Sequence, residues 1–286
     1  MKPKYVIVTP VKNEQNFLQH TIDSVVRQTI RPEAWFIVDD QSTDGTPDLI
    51  AQAGREHSWI HGVRTTSSGQ RRIGGQAALY PTLSNLDPNA YDFIVRMDGD
   101  LKFNADTFAR LFAEFDRNPK LGVASGTCFI TVNGRRIEET HPRFHTRGPM
   151  KVYRSECYRA MQGLDPNEGW DTIDEIKANQ LDWQSESFPA IQLHHLRKTQ
   201  TASGALRGFL NQGRVSFYVG YHPVYAVCRA LLHVVTKPWS LGGLYMLFGF
   251  LEGYTHHRPR VADAAFVRYL RRQQMNRLLG RTTIWH

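Results

Sequence analysis

Asp98, Gly99 and Asp100 follow directly on a short apolar run, Phe93 to Met97. Two carboxylates one residue apart suit hard divalent cations such as Mg²⁺ or Mn²⁺, which take oxygen ligands and commonly share them with substrate phosphates. The glycine between them allows the backbone to bend and a ligand to approach closely. The motif therefore predicts a divalent-metal site that serves a diphosphate group, although a plain surface turn would show the same short pattern.

A second acidic pair, Asp39 and Asp40, follows another apolar run, Trp35 to Val38, and the loop after it is polar. A carboxylate at this place can accept the ring N–H of a pyrimidine, and the loop hydroxyls can hold the strand end in shape. A solvated turn that ends in a helix cap at Thr46 is the alternative interpretation. That alternative explains Thr46 well and the two adjacent aspartates less well.

The elements that must position these residues are visible as a repeating pattern. Short β-rich apolar runs alternate with helical patterns, which is typical of βαβ units around a mostly parallel sheet. The first predicted strands are Tyr5 to Thr9, Trp35 to Val38, Ile60 to Arg64 and Phe93 to Met97. In open α/β sheets ligands collect at the carboxyl ends of the strands. Because both acidic pairs lie at such ends, the sequence predicts one shared binding edge.

Three segments of the chain resemble, in order and spacing, the successive signatures of glycosyltransferase family 2, whose members have the GT-A fold. The segments are Val8 to Glu14, Val38 to Thr46 and Asp98 to Asp100, and the match covers about residues 4 to 115. The resemblance implies an α/β, Rossmann-like GT-A fold with a mostly parallel sheet flanked by helices. It also implies transfer of a sugar from a nucleoside-diphosphate sugar, with inversion at the anomeric carbon. UDP is the favoured carrier, with dTDP and GDP left open.

Carried over onto this sequence, the resemblance implies roles for several residues. Thr9 and Asp40 would contact the nucleobase, Asp98 the ribose or the metal, and Asp100 the metal. We include Asn13 and Glu14 of the first signature among the residues expected to bind the nucleotide sugar.

Two further groups are candidates at the same site. Arg71 and Arg72 lie where the family often approaches the diphosphate, and guanidinium groups suit phosphate oxygens. An ordinary solvated loop is equally compatible with that stretch. His195 follows a predicted strand and could supply an imidazole ligand to the metal, as a downstream histidine does in some members of the wider fold. A structural role is the alternative for His195.

The family's catalytic base is an aspartate in an acidic pair that opens a helix about eleven residues before a glycine. In this chain Asp171 lies at the matching distance from Asp182. Trp170 stands where glutamate is usual and Asp182 where glycine is usual, so the register is open and Asp174 remains a rival for the base. A helix cap at Asp171 is the alternative, since acidic groups favour a helix N-terminus.

Charge divides the chain unevenly. Residues 1–192 carry 22 Lys+Arg against 25 Asp+Glu, a net charge of −3, whereas residues 193–286 carry 13 against 2, a net charge of +11. We place a catalytic domain at residues 1–200 and a basic, mainly helical region at residues 201–286. The uncharged run Leu241 to Leu251 is too short to span a bilayer. This region is expected to serve a glycan or lipid-linked acceptor or an anionic membrane surface, with packing on the catalytic domain as the alternative.

Two other functions fit parts of the sequence. A sugar-phosphate nucleotidyltransferase would share the fold and the metal, but it expects a glycine-rich first loop where this chain has Pro10 to Glu14, and the same difference argues against a dehydrogenase. A non-enzymatic nucleic-acid-binding protein would explain the basic C-terminal region and its tyrosines. No zinc-ligand spacing, RNP-like motif or heptad repeat supports that alternative, so we expect no nucleic-acid partner.

The cysteines and the N-terminal residues indicate the compartment. Cys128, Cys157 and Cys228 are odd in number and widely spaced, which argues against a disulfide framework. The apolar run Tyr5 to Val8 is shorter than the core of a signal peptide. We expect a cytoplasmic protein, with peripheral attachment to the cytoplasmic face of the inner membrane left open.

Overall fold

The structure is a computed structural model that describes residues 2–66, 76–132, 134–139, 142–197, 205–235 and 241–285. The chain divides into two compact units, Met1–Arg197 and Lys198–His286. The first unit is α/β and the second consists of helices.

Among the described residues, the first unit contains nine strands and six helices. The strands are β1 (Tyr5–Val11), β2 (Ala34–Asp39), β3 (Ile60–Arg64), β4 (Phe93–Met97), β5 (Leu101–Phe103), β6 (Leu121–Val132), β7 (Arg135–Glu138), β8 (Met150–Arg154) and β9 (Gln184–His195). The helices are α1 (Leu18–Val26), α2 (Thr46–Glu56), α3 (Gln76–Asn85), α4 (Thr107–Arg117), α5 (Ser155–Ala160) and α6 (Trp170–Gln180).

The strands form one sheet in the order β3-β2-β1-β4-β8-β6-β9-β5, with β7 paired to β6. The first four strands of this order run parallel, so the carboxyl ends of β1, β2 and β4 meet at one edge. β9 runs parallel to β6 and antiparallel to β5, with Leu101 opposite His195. Because β5 begins directly after Asp100, this pairing brings the end of β9 to the Asp98–Asp100 turn.

An aromatic cluster supports the strands below this edge. α4 places Phe108, Phe112 and Phe115 on one face at the helical spacing, where each is buried. Phe93 of β4 stacks on Phe112 with ring centroids 4.7 Å apart, and Tyr5 of β1 contacts the same ring at 5.0 Å. Burying a phenylalanine contributes about 1.5–3 kcal/mol. The cluster therefore fixes β1 and β4, the two strands that carry the first and third signatures.

The prediction of an α/β fold with helices around one sheet is confirmed, and two local features differ from the sequence interpretation. The sheet is mixed: it is parallel from β3 to β4 and between β6 and β9, whereas β8 is antiparallel to both β4 and β6. The sequence did not predict β5 or α5, because three and six residues carry too little periodicity. β5 nevertheless matters most for the site, since it pairs with the end of β9.

The second unit contains α7 (Ala205–Val219), α8 (Pro223–Val235), α9 (Gly242–Thr255) and α10 (Ala264–Leu278) among its described residues. α7 and α9 approach each other closely where glycine is present. A Cβ added at Gly213 would lie 2.0 Å from the Met246 carbonyl oxygen, and one added at Gly249 would lie 2.1 Å from that of Leu210. Within the described ranges no helix has the length and apolar character that crossing a membrane requires.

Candidate active site

The Asp98–Asp100 turn connects β4 to β5 at the edge of the sheet. The Asp98 amide donates to the Pro149 carbonyl at 2.8 Å, which fixes the start of the turn. A Cβ added at Gly99 would lie 2.6 Å from Val11 Cγ1, so glycine lets the turn lie directly on β1. The two carboxylates thereby reach the carboxyl end of the neighbouring strand β1.

His195 completes a group with the geometry of a divalent-metal site. Each of Asp98, Asp100 and His195 offers one ligand atom, and these three atoms lie within 4.8 Å of one another. His195 Nε2 is 3.4 Å from Asp100 Oδ1, and its Nδ1 is buried without a hydrogen-bond partner among the described residues. Carboxylate oxygens with an imidazole nitrogen are a donor set that Mn²⁺ and related cations accept. The residues present therefore fit a divalent metal.

Two arginines supply the counter-charges of this acidic group, and the sequence analysis identified neither. Arg96 Nη1 is 2.6 Å from Asp98 Oδ1. Arg197 Nη2 is 2.5 Å from Glu14 Oε1 and 3.2 Å from Asp100 Oδ2. Arg96 could have been identified from the sequence, because it is the single charged residue of a buried strand. Nothing in the sequence distinguishes Arg197 in this way.

The electrostatics differ among the three carboxyl groups. Burial raises the pKa of Asp98, and the charge of Arg96 only partly offsets that effect. Burial also opposes ionisation of Asp100, but His195 and Arg197 outweigh it and lower the pKa of Asp100. Burial raises the pKa of Glu14 to about 7 in spite of Arg197. Asp100 is therefore the carboxyl group of this set held most firmly in its charged form.

The loop after β2 adds a second acidic position at the same edge. Asp40 is buried, and its carboxylate accepts from the Thr65 hydroxyl at 3.1 Å and lies 3.5 Å from Lys12 Nζ. Asp39 points back into the loop, where its Oδ1 accepts from the Ser42 amide at 2.8 Å. Of the two aspartates, Asp39 thus shapes the loop, and a nucleobase contact remains the prediction for Asp40.

Thr9 and Asn13 hold the frame of the site. Thr9 is fully buried and its hydroxyl accepts from the Trp35 indole N–H at 2.9 Å. Asn13 has a φ of 55°, in the left-handed region, and its Oδ1 accepts from the Thr43 amide at 2.9 Å. These contacts lock β1 to the loop after β2. A direct contact of either residue with a nucleotide stays a prediction, and Arg71 and Arg72 lie outside the described residues.

The acidic residues at the start of α6 are separated by burial. Asp174 is buried and bound by Lys151 Nζ at 2.9 and 3.0 Å and by the Tyr153 hydroxyl at 2.5 Å. Glu175 is buried as well; it forms an ion pair with His145 and accepts from the Thr146 amide at 2.8 Å.

Asp171 is half-buried. No ion pair or hydrogen bond engages its carboxylate among the described residues, and only its carbonyl accepts from Lys151, at 2.6 Å. The helix cap is Gly169, not Asp171.

A model of the family described as Glycosyl transferase family 2 matches residues 6–169, more than half of the chain. The chain belongs to glycosyl transferase family 2. The matched segment includes β1, the loop after β2 and the Asp98–Asp100 turn. Because β2, β1 and β4 are parallel neighbours in the sheet, these three signatures lie together at one edge.

Relatives and solved structures agree with this family. The poly(ribitol-phosphate) β-glucosyltransferase of Bacillus spizizenii is 22% identical over 241 residues, which are 79% of this chain and 32% of that protein. A teichuronic acid biosynthesis glycosyltransferase of Bacillus subtilis, described as putative in its name, is 32% identical over 78 residues, 27% of this chain and 31% of that protein. The chain thus spans about a third of the length of the curated relatives it matches.

Among solved structures, a mannosyltransferase from Pyrobaculum calidifontis in complex with GDP-Man and Mn²⁺ is 15% identical with a TM-score of 0.60. The match covers 98% of this chain and 81% of that one. S. aureus TarS in complex with UDP-GlcNAc is 15% identical with a TM-score of 0.57, over 97% and 92% of the two chains. At this identity the likeness shows the fold, which is the GT-A fold.

The two departures from the family-2 pattern have structural explanations. Asp182, where the family has glycine, has a φ of 64° in the turn after α6, the left-handed conformation in which glycine is least strained. Trp170, where the family has glutamate, packs against the Arg96 guanidinium. Arg96 Cζ lies 4.6 Å from the centroid of the Trp170 ring. The backbone at Asp182 supports the register that aligns Asp171 with the family's aspartate.

Arg96 links the acidic turn to the segment that carries Asp171. Besides Asp98, its Nη1 donates to the Gly148 carbonyl at 2.6 Å. A Cβ added at Gly148 would lie 3.7 Å from Asp171 Oδ2, so this carboxylate is adjacent to the Gly148 backbone. The candidate base and the candidate metal ligands therefore border the same buried arginine.

Proposed function

We propose that this chain is a metal-dependent, inverting glycosyltransferase that moves a sugar from a nucleoside-diphosphate sugar to an acceptor hydroxyl. The observation that carries the proposal is the Asp98–Asp100–His195 group at the edge of the sheet, with Asp40 at the same edge after β2, on the other side of β1. Two structural neighbours are described with nucleotide sugars, GDP-Man in one and UDP-GlcNAc in the other. UDP is the carrier we favour, because Asp40 can accept the ring N–H of a uracil.

Asp98, Asp100 and His195 would hold the cation, Mn²⁺ or Mg²⁺. When bound, such a cation supplies charge neutralisation for a diphosphate leaving group. The chain itself contributes Arg197, whose guanidinium lies half-exposed beside Asp100 and Glu14. A guanidinium in this place suits phosphate oxygens and would orient the donor. Arg71 and Arg72 are further candidates for the same contact.

Asp171 is the residue we assign as general base. The acceptor hydroxyl must lose a proton as it attacks the anomeric carbon. The group that accepts this proton must therefore be accessible to an acceptor that arrives from solvent. Asp174 is enclosed by Lys151 and Tyr153, so it offers no free oxygen to an acceptor. No hydrogen bond or ion pair within 4 Å holds the Asp171 carboxylate among the described residues, and Lys151 and His145 act on it only through longer-range electrostatics.

The acceptor we propose is a glycan or lipid-linked glycan of the cell surface. The relatives that support this acceptor class are named as a poly(ribitol-phosphate) β-glucosyltransferase and a teichuronic acid biosynthesis glycosyltransferase. The basic second unit would bring the enzyme to the cytoplasmic face of the membrane, where anionic lipid attracts positive charge.

The experiment that tests the function is donor hydrolysis and transfer with a panel of nucleotide sugars, in Mn²⁺, in Mg²⁺ and in a chelator. We expect binding of one nucleotide sugar that weakens at least tenfold in chelator, because phosphates and carboxylates repel each other without a cation between them. Calorimetry showing equal UDP affinity with and without metal would contradict the metal assignment. Release of pyrophosphate from UTP and a sugar phosphate would instead identify a nucleotidyltransferase.

A further inference from the structure

Exposed apolar side chains concentrate in one part of the second unit. Fifteen large hydrophobic residues are exposed among the described residues, and ten of them lie on α8, on α9 or at Leu241 just before α9. These ten are Val224, Val227, Leu231, Leu232, Leu241, Leu244, Tyr245, Phe248, Leu251 and Tyr254. Single exposed apolar residues are ordinary on proteins, but a group of this size marks an interaction surface.

α9 has two apolar faces, and only one is used inside the unit. The inner face, with Met246, Gly249 and Phe250, is buried, and its close approach to α7 depends on glycine. The outer face carries Leu244, Phe248 and Leu251 at the spacing of one helical stripe, and Phe248 is 64% exposed. Because the inner face already closes the core, the outer stripe has no folding role within the unit.

α9 carries a single charged residue, and that residue is neutralised. Glu252 is bound by Arg214 at 2.7 and 3.0 Å and by Arg258 at 2.7 Å. These ion pairs lower the pKa of Glu252, the Arg214 hydrogen bond first. The outer stripe of α9 therefore presents uncharged side chains along its length.

α8 continues the surface. α8 packs against α9, and its buried side holds Ala226 and Ala230. Its exposed side holds Val224, Val227 and Leu231, again at helical spacing. The two neighbouring helices together define the apolar surface, which we name the α8–α9 surface and which consists of the ten residues given above.

Charge around this surface selects its occupant. Residues 198–286 hold 12 Lys+Arg and 2 Asp+Glu, a difference of +10. One of the two carboxylates, Glu252, is shared by two arginines, and the other, Asp263, accepts from the amides of Ala265 and Phe266 as the cap of α10. The remaining arginines include four on α10: Arg268, Arg271, Arg272 and Arg277.

Helix α10 contacts α8, one of the two helices of the apolar surface, since Arg277 Nη1 is 3.4 Å from the Tyr225 hydroxyl. A second copy of the chain would bring the same positive charge and be repelled. An anionic lipid surface would instead be attracted by each basic group near it.

We propose that the α8–α9 surface inserts into the interface of an anionic phospholipid bilayer, with both helices in the membrane plane and the α10 arginines at the lipid phosphates. The fourteen residues of α9 span about 21 Å, less than the hydrocarbon thickness of about 30 Å, so the helix lies along the surface and does not cross. Tyr245 and Tyr254 suit the headgroup level. This inference deepens the membrane attachment put forward above and rests on it, but is independent of the sugar chemistry.

The test compares variants of the full-length protein in vesicle sedimentation. Leu244→Glu combined with Phe248→Glu places charge on the outer stripe, and Ile137→Glu, on exposed strand β7, is the matched control. With vesicles of phosphatidylglycerol and phosphatidylcholine, we expect the double variant to lose at least tenfold in partitioning and the control to stay within twofold. Neutral vesicles should bind the unmodified protein more weakly than anionic ones.

A second measurement does not depend on loss of binding. The emission that Phe248→Trp adds to that of the six native tryptophans should be quenched by lipids brominated on the acyl chain, whereas the emission that Ile137→Trp adds should not. Unchanged partitioning of the double variant, or absence of quenching at position 248, would overturn the proposal. Light scattering that shows a dimer dissociated by the double variant would assign the surface to a second copy. Calorimetric titration with UDP on the same samples separates this question from the transferase function.

Discussion

Two acidic groups of the first unit contain the same residue types and differ in how their charges are balanced. At the Asp98–Asp100 turn one counter-charge, Arg197, is half-exposed with 49% of its side chain accessible, and a ring nitrogen of His195 has no partner among the described residues. At the start of α6, Lys151 and Asp174 are both fully enclosed. A solvent-accessible arginine can release its carboxylate partner and bind a ligand instead, whereas a fully buried ion pair stabilises the fold. Asp171, beside the buried pair and itself only half-buried, is the exception in its group.

The largest effect should come from breaking the enclosed pair. Lys151→Met removes the only cation recorded on the Asp174 carboxylate among the described residues and leaves a buried negative charge unpaired. We expect the free energy of unfolding to fall by about 3–5 kcal/mol. Denaturant unfolding measures it, with Lys120→Met on the exposed surface as control, expected to change stability by less than about 0.5 kcal/mol. A loss below 1 kcal/mol for Lys151→Met would remove the distinction between the two groups.

The second effect should appear in turnover without a change in stability. Asp171→Asn keeps the size of the side chain and removes the proton acceptor, and Gly169 caps α6 without help from this residue. Turnover should fall by about 10²–10⁴-fold while UDP affinity stays near normal.

Asp174→Asn is the comparison variant for this test. It should unfold at lower denaturant concentration, because Lys151 would lose its charged partner. Full activity in Asp171→Asn together with a stable but inactive Asp174→Asn would transfer the base role to Asp174.

The third effect concerns ligand exchange at the turn. Asp100→Asn should fold with little loss of stability, because Arg197 retains Glu14 as a partner at 2.5 Å. It should lose most of the metal-dependent part of nucleotide affinity, at least tenfold, since one ligand of the cation is weakened. Calorimetry with UDP in Mn²⁺ and in chelator measures the difference. Equal metal dependence of UDP affinity in Asp100→Asn and in the unmodified protein would show that the Asp98–Asp100 turn also has only a structural role.

The smallest effect is a pH dependence of stability at the α6 group. Burial opposes the charged form of His145, but Glu175 outweighs it and raises the pKa above the ordinary value of 6.5. A raised histidine pKa stabilises the fold below the unfolded value, and this stabilisation is lost as pH rises through the folded value. Unfolding free energy should therefore decline above pH 6.5. In His145→Gln the decline should flatten, and an unchanged slope in that variant would assign it to other groups.

The sequence alone was sufficient wherever the deciding contacts are local. The run Phe93 to Met97 and the carboxylates after it predicted a strand that ends in an acidic turn, because a short apolar run and the turn that follows it depend on adjacent residues. The resemblance to family 2 supplied the fold and the candidate ligand His195, and a register for Asp171. The paired cations were not predictable in this way, since Arg197 meets Glu14 across 183 residues of sequence.

The sequence by itself determined the class of the fold, the family and the edge of the sheet where carboxylates gather, since these depend on local patterns repeated along the chain. Only the tertiary structure decided which carboxylates remain available for chemistry. Asp171 and Asp174 lie three residues apart in the same helix and are the same residue type. Asp171 is half-buried, whereas Asp174 is buried and bound by Lys151 and Tyr153. The physical reason is that burial and counter-charge come from β8, an element distant in sequence, so no local pattern can specify them.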